Sequence, residues 1–68
     1  MPDALGNRVR EEREKRGWTQ AELAARSGFS RKTINTIENR VFSPSALVAL
    51  RLAEALEVPF ETLFWIER

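Results

Sequence analysis

Arg31, Lys32, Asn35 and Thr36 are spaced so that a helix running through them carries all four on one side. Together they offer two cationic donors, an amide that both donates and accepts, and a hydroxyl that does either. Arg31 and Lys32 can donate to guanine O6 and N7, and Thr36 can meet a thymine methyl or a polar base edge. The chemistry that suits this set is hydrogen bonding to base pairs in the DNA major groove. Around it lies a second group suited to phosphate: Thr19, Gln20, Ser30 and Thr33 near two helix starts, and Asn39 and Arg40 just past the end of the second of these helices. Other chemistry has little to work with. The chain has no Cys, so neither disulfides nor thiolate metal sites are open to it, and no His, the usual general base and commonest metal ligand. With no glycine-rich phosphate loop or nucleophile motif either, neither an enzyme, a cofactor nor a metal site is expected.

Short helices with marked ends must position these residues. Ser30 is placed to cap one, and Ile34, Ile37 and Glu38 share its inner side, so Lys32 and Thr36 point away from the core. Before it, Thr19 with Glu22 three residues on reads as a capping box, Trp18 staples the entry, Leu23 and Ala24 face inward, and Gly28 closes the helix. Asp3 is expected to cap a first helix ending at Gly17. Its inward stripe is Leu5, Val9 and then, unusually, Arg13, while Glu11–Lys15 and Glu12–Arg16 pair on the exposed side. Residues 39–45 read as a turn. Ser45 caps a fourth helix burying Ala46, Ala49, Leu50, Ala53 and Leu56, which leaves a second strip, Val48, Leu52 and Ala55, without a partner. Pro59 opens a short fifth helix with Phe60 and Leu63, followed by an aromatic tail. The expectation is an all-α bundle of five helices in one domain, 1–68. No strand pattern of any length occurs, and the one strand the tail would allow is 64–67, paired across a dimer axis.

Charge sharpens this only slightly. Residues 1–40 hold nine Lys and Arg against six acids, whereas residues 41–68 hold two against four. The basic half could face a polyanion, or simply be a solvated surface. No run is long enough to span a membrane and no signal peptide opens the chain, so a cytoplasmic, nucleoid-associated domain is expected. At 68 residues its core leaves a margin of only about 3–5 kcal/mol, a size that often depends on a partner.

From pattern alone two readings stand: a helix-turn-helix DNA reader, or a helical bundle whose polar face is merely wet. The residues W-T-Q-A-E-L-A at 18–24, G-F-S-R-K-T-I at 28–34, I-E-N at 37–39, P-S at 44–45 and L-E-V-P-F-E-T-L-F at 56–64 separate them. With these, the chain from Gly6 to Phe64 resembles the Cro and phage-repressor (XRE) family of helix-turn-helix domains, in particular its small stand-alone dimeric members of the cytolysin-operon repressor type. The resemblance implies the phage-repressor fold, with helix 30–39 in the major groove of an operator. It gives Gln20 and Asn39 to phosphates and Arg31, Lys32 and Thr36 to bases. It also pairs Arg13 with Glu38, which accounts for the inward arginine.

The same resemblance makes Val48 a dimer contact, with Leu52, Phe60, Phe64, Trp65 and Ile66 supplying apolar area nearby; the alternative is that the tail folds over its own core. The expected partners are therefore double-stranded DNA and a second copy of the chain. The expected function is a homodimeric repressor, and the alternative is an antitoxin or bridging module that uses the same fold to hold a protein. Three positions depart from the family pattern. Arg40 stands where glycine is usual, which would pass the left-handed helix end to Asn39. Glu57 likewise replaces a common glycine, with modest strain expected. Val41 and Phe42 make the loop unusually apolar, with Phe42 expected to pack on the fourth helix.

Overall fold

A computed structural model describes residues 3–41 and 43–68 of the chain. Two short strands, β1 (Ala4–Asn7) and β2 (Phe64–Glu67), enclose five helices: α1 (Val9–Lys15), α2 (Gln20–Ser27), α3 (Arg31–Glu38), α4 (Ala46–Leu56) and α5 (Phe60–Leu63). The expectation for Phe42 falls outside the described residues.

Local chemistry sets the middle helices. Thr19 accepts the Glu22 N–H, Ser30 that of Thr33 and Ser45 that of Val48, so each N-terminus satisfies one of its orphan donors through its cap. The Glu22 side chain turns instead to Arg26, so only half of the expected capping box is used. Gly28 closes α2 at φ 83°, a left-handed conformation that costs glycine little. Val9, Leu23, Ile34, Ile37, Leu52, Leu56 and Leu63 form the fully buried centre, with Trp18 and Phe29 packed against it.

Several expectations need correction. Asp3 caps nothing: α1 starts at Val9, whose N–H is accepted by Asn7 Oδ1, and the segment before it is β1. The tail does form a strand, but β2 pairs antiparallel with β1 of the same chain, Ala4 opposite Glu67 and Gly6 opposite Trp65. Helix α4 buries Ala49, Leu52, Ala53 and Leu56, while Ala46 and Leu50 face solvent. The helix is apolar on most sides, so its spacing offered two stripes and the packing chose the one containing Leu52. Finally, Glu12 lies buried rather than on the exposed side. It accepts from Arg16 and Lys15, and Arg16 reaches on to the Leu56 carbonyl at 2.5 Å, joining α1 to the end of α4.

At the end of α3 Asn39 keeps φ −90° and Arg40 itself takes the left-handed conformation at φ 58°. Glu57 does the same at the end of α4. Arg40 also pairs with Glu67, which anchors the end of α3 to β2. Within the sheet Gly6 lies beneath the Trp65 indole: a Cβ built there would stand 2.4 Å from Nε1. The Arg8 guanidinium sits over the same ring, 5.0 Å from its centroid.

Candidate nucleic-acid interface

Helices α2 and α3, joined through Gly28–Ser30, border an open groove of about 730 Å³ lined by Arg13, Thr19, Gln20, Ala21, Arg31, Lys32 and Asn35. Arg31, Lys32 and Asn35 are exposed, and Thr36 is half-buried. Thr36 Oγ1 donates to the Thr33 carbonyl at 2.9 Å, which leaves its lone pairs and methyl for any outside contact. Ser30 and Thr33 hydroxyls lie 3.0 Å apart beside the start of α3. At the start of α2, the Gln20 and Ala21 N–H groups lie ahead of the first helical bond, from Leu23 N–H to the Thr19 carbonyl. Donors and the positive end of the helix dipole therefore converge on this edge of the groove.

Beneath the reading face, one carboxylate holds three elements together. The Glu38 side chain is fully buried. Arg13 of α1 donates to it through Nε at 2.7 Å and Nη2 at 3.1 Å, a forked contact, and Arg13 Nη1 also donates to the Trp18 carbonyl. Arg10 adds a bond from Nε at 3.3 Å, and Gln20 of α2 one from Nε2 at 3.1 Å. Burial pushes the Glu38 carboxyl up, but the bonds from Arg13 and Gln20, with the Arg13 charge and the Arg10 bond, outweigh it and hold it below the usual carboxylate range. Arg13 is raised in turn, chiefly by its bond to Glu38.

Two members of this cluster had no place in the sequence reading. Arg10 bridges Glu38 and Asn39, donating to Asn39 Oδ1 at 3.1 Å. Asn7 donates to the Ile37 carbonyl at the end of α3. Arg10 falls on the α1 face opposite no apolar partner, so the 3.6-residue pattern had no reason to single it out. Asn7 belongs to a strand that the pattern did not show.

The expected site residues thus divide. Thr19, Gln20, Arg31, Lys32 and Asn35 meet around the groove, with Ser30, Thr33, Thr36 and Asn39 along α3 and its ends. Gln20 Nε2 is engaged by Glu38 and Asn35, so its amide now faces α3. Arg40 is turned to Glu67. Of the residues expected at a dimer contact, Leu52 and Phe64 are buried in this chain's own core and present no surface to a second copy. Val48 and Trp65 are half-buried, and Phe60 and Ile66 are exposed.

Among the described residues no helix is long and apolar enough to cross a membrane, and no cluster of acidic side chains could hold a metal ion. Known proteins add a direct comparison. A family model for the helix-turn-helix domain HTH_3 matches residues 9–63. The chain is 36% identical to the HTH-type transcriptional regulator YgzD of Bacillus subtilis strain 168 over 63 residues, covering 93% of this chain and 96% of that one. It is 48% identical to an HTH-type transcriptional regulator of Methanothermobacter thermautotrophicus over 48 residues, 71% of this chain and 70% of the other. It is also 33% identical to the antitoxin HipB of Escherichia coli O6:H1 over 57 residues, 84% of this chain and 61% of the antitoxin. These are similarities to DNA-binding regulator domains, not to an enzyme family. The chain belongs to the XRE-type helix-turn-helix family, whose members are DNA-binding transcriptional regulators.

Proposed function

We propose that the chain is a homodimeric repressor that lays α3 in the major groove of a two-fold symmetric operator. The observation that carries this reading is the outward set Arg31, Lys32, Asn35 and Thr36, presented beside the α2 N-terminus across an open groove and braced from below by Glu38. Bases fall to that set. Phosphates fall to the N–H groups opening α2, that of Gln20 among them, to Thr19, Ser30 and Thr33, and to Arg40 once its bonds to Glu67 are exchanged. The Gln20 and Asn39 side chains keep their bonds to α3. Residues 1–68 act as one unit in the cytoplasm, at the nucleoid, with no cofactor.

A single small module buries only about 600–1,000 Å² on DNA, and a dimer doubles that. Val41, Leu47, Leu50 and Ile66, between 53% and 72% exposed, are the apolar residues left over for a second copy, with Phe60, Val48 and Trp65 beside the tail. Leu47 and Leu50 replace Leu52 as the α4 contribution to that contact. Selection of bound sites from random duplex DNA tests the whole reading. A palindromic consensus with half-sites about 34 Å apart is expected, and affinity should fall steeply with salt as counterions are released. Binding without sequence preference, or with no salt dependence, defeats it.

The similarity to HipB supports a second reading, an antitoxin that binds both its operator and a protein. A partner that copurifies in fixed ratio and survives a salt wash that strips DNA would favour it.

A further inference from the structure

Asn35 belongs to a chain of hydrogen bonds whose direction is fixed at both ends. At one end stands Glu38, a carboxylate that only accepts, so the Gln20 group facing it at 3.1 Å must be the amide nitrogen. The same Nε2 donates to Asn35 Oδ1 at 3.2 Å. At the other end stands Arg10, which only donates, so the Asn39 atom it meets at 3.1 Å must be oxygen. Asn39 then turns its nitrogen to α3, donating to the Asn35 carbonyl and to Asn35 Oδ1, both at 3.0 Å. Asn35 Oδ1 therefore accepts from two sides, and a carbonyl oxygen has two lone pairs. What remains for the groove is Nδ2 with its two hydrogens.

An asparagine that pairs with adenine needs both halves of its amide, the oxygen to accept from N6 and the nitrogen to donate to N7. That mode is closed here. Guanine alone shows two adjacent acceptors, O6 and N7, and no donor on its major-groove edge. We propose that Asn35 is locked as a donor-only reader that selects guanine and rejects adenine. Gln20 and Asn39, held by Glu38 and Arg10, act as the positioning residues that impose this choice. The proposal rests on the DNA-reading role of α3 and adds to it which base Asn35 takes.

The experiment compares sites selected from random duplex DNA by the full chain, by Asn35→Ala and by the double variant Gln20→Ala/Asn39→Ala. Asn35→Ala should relax one position of each half-site, and that position should be guanine in the wild-type consensus, favoured over adenine by roughly tenfold. In the double variant both lone pairs of Asn35 Oδ1 are freed, and adenine should rise to within about threefold of guanine at that position alone. Any base other than guanine there in the wild type overturns the proposal, as does an unchanged guanine preference in the double variant. If Asn35→Ala relaxes no position while the wild type keeps its palindrome, the proposal fails and the repressor reading survives. If the wild type selects no sequence at all, both fall. Asn35 is exposed and makes no core contact, so the comparison with Asn35→Ala stands even if the double variant folds poorly.

Discussion

The reading segment, α2 with α3, and the closing sheet, β1 with β2, are built on opposite principles. The first is held by contacts near in sequence: Thr19 to Glu22, Ser30 to Thr33, Gly28 at a positive φ. Its long ties come from Asn7, Arg10 and Arg13 to the end of α3, and the strongest of them, Arg13 to Glu38, is a charge pair buried under a polar surface. The second joins opposite ends of the described chain through a fit of shapes, an indole lying on a glycine, with the Arg40–Glu67 pair beside it. A polar hub can be exact about direction, because donors and acceptors are not interchangeable. A packed sheet is exact about volume. The first property serves a surface that must present chosen hydrogen bonds, and the second serves a closure that must only stay shut.

The sharpest way to break this contrast is at the hub. Glu38→Ala leaves Arg13 buried without its partner, a loss of about 3–5 kcal/mol, comparable with the whole stability margin of a domain this size. The variant should be largely unfolded at 25 °C by urea titration followed through Trp18 and Trp65 fluorescence. The double replacement Arg13→Met/Glu38→Leu should recover much of that loss, since a buried pair is worth little over packed apolar residues. It should not recover the guanine preference at the Asn35 position, because Gln20 would have lost its anchor. A stable protein with that one position relaxed would show that the hub serves direction rather than stability.

At the sheet, Gly6→Ala should cost roughly 1–3 kcal/mol, the usual range for overpacking, because the new methyl meets the indole ring. Adding Trp65→Leu should return part of that loss, so a double-mutant cycle with urea unfolding measures the fit directly. If Gly6→Ala is neutral, the sheet is held by backbone bonds and the Arg40–Glu67 pair rather than by shape. Base preference of the folded fraction should be unchanged, which separates the closing region from the reading region.

The same division explains what could be read in advance. The caps Thr19, Ser30 and Ser45 and the turn at Gly28 are local signals, and each stands where its residue type placed it. The inward Arg13 broke the periodicity of α1, and only the family resemblance supplied its partner. The strand expected at 64–67 is present, but β1 and its pairing with β2 were not legible, because four residues are too few to show a period of two and β1 finds its partner near the far end of the chain. In α4, Leu50 and Leu52 were assigned to the wrong sides because almost every face of that helix is apolar. The direction of the Gln20–Asn35–Asn39 bonds needs side chains from three helices or their ends, and no spacing rule encodes it.

Acid should act on the hub more than on the sheet. Glu38 is held below the usual carboxylate range against the pull of burial, and Glu12 is lowered chiefly by its bond from Arg16. A depressed folded value means this stability is fully present above the unfolded carboxylate value, about 4.3, and is lost as pH falls through the folded one. Urea midpoints should therefore hold steady near neutrality and drop on acidification below about pH 5. Glu38→Gln should start less stable and show a shallower drop. An equal acid slope in that variant would move the titrating group elsewhere.

The smallest effects, and the finest test of the comparison, lie at the two non-glycine residues with positive φ. Arg40 and Glu57 both have φ 58°, so both carry the same backbone cost, on the order of 1 kcal/mol. They differ in what their side chains do. Glu57 is exposed and enters none of the ion pairs found among the described residues, whereas Arg40 holds Glu67 of β2. Glu57→Gly removes strain and nothing else, offset in part by the freer unfolded chain, so a gain of about 0.5 kcal/mol is expected. Arg40→Gly relieves the same strain but releases β2, and an exposed pair of this kind contributes up to about 1 kcal/mol. Its net change should be near zero or slightly unfavourable, and its gain should appear only when Glu67 is already replaced by Gln. If Arg40→Gly stabilises as much as Glu57→Gly with Glu67 intact, the Arg40–Glu67 pair contributes nothing to the closure. The sheet would then depend on Gly6, Trp65 and its backbone bonds alone.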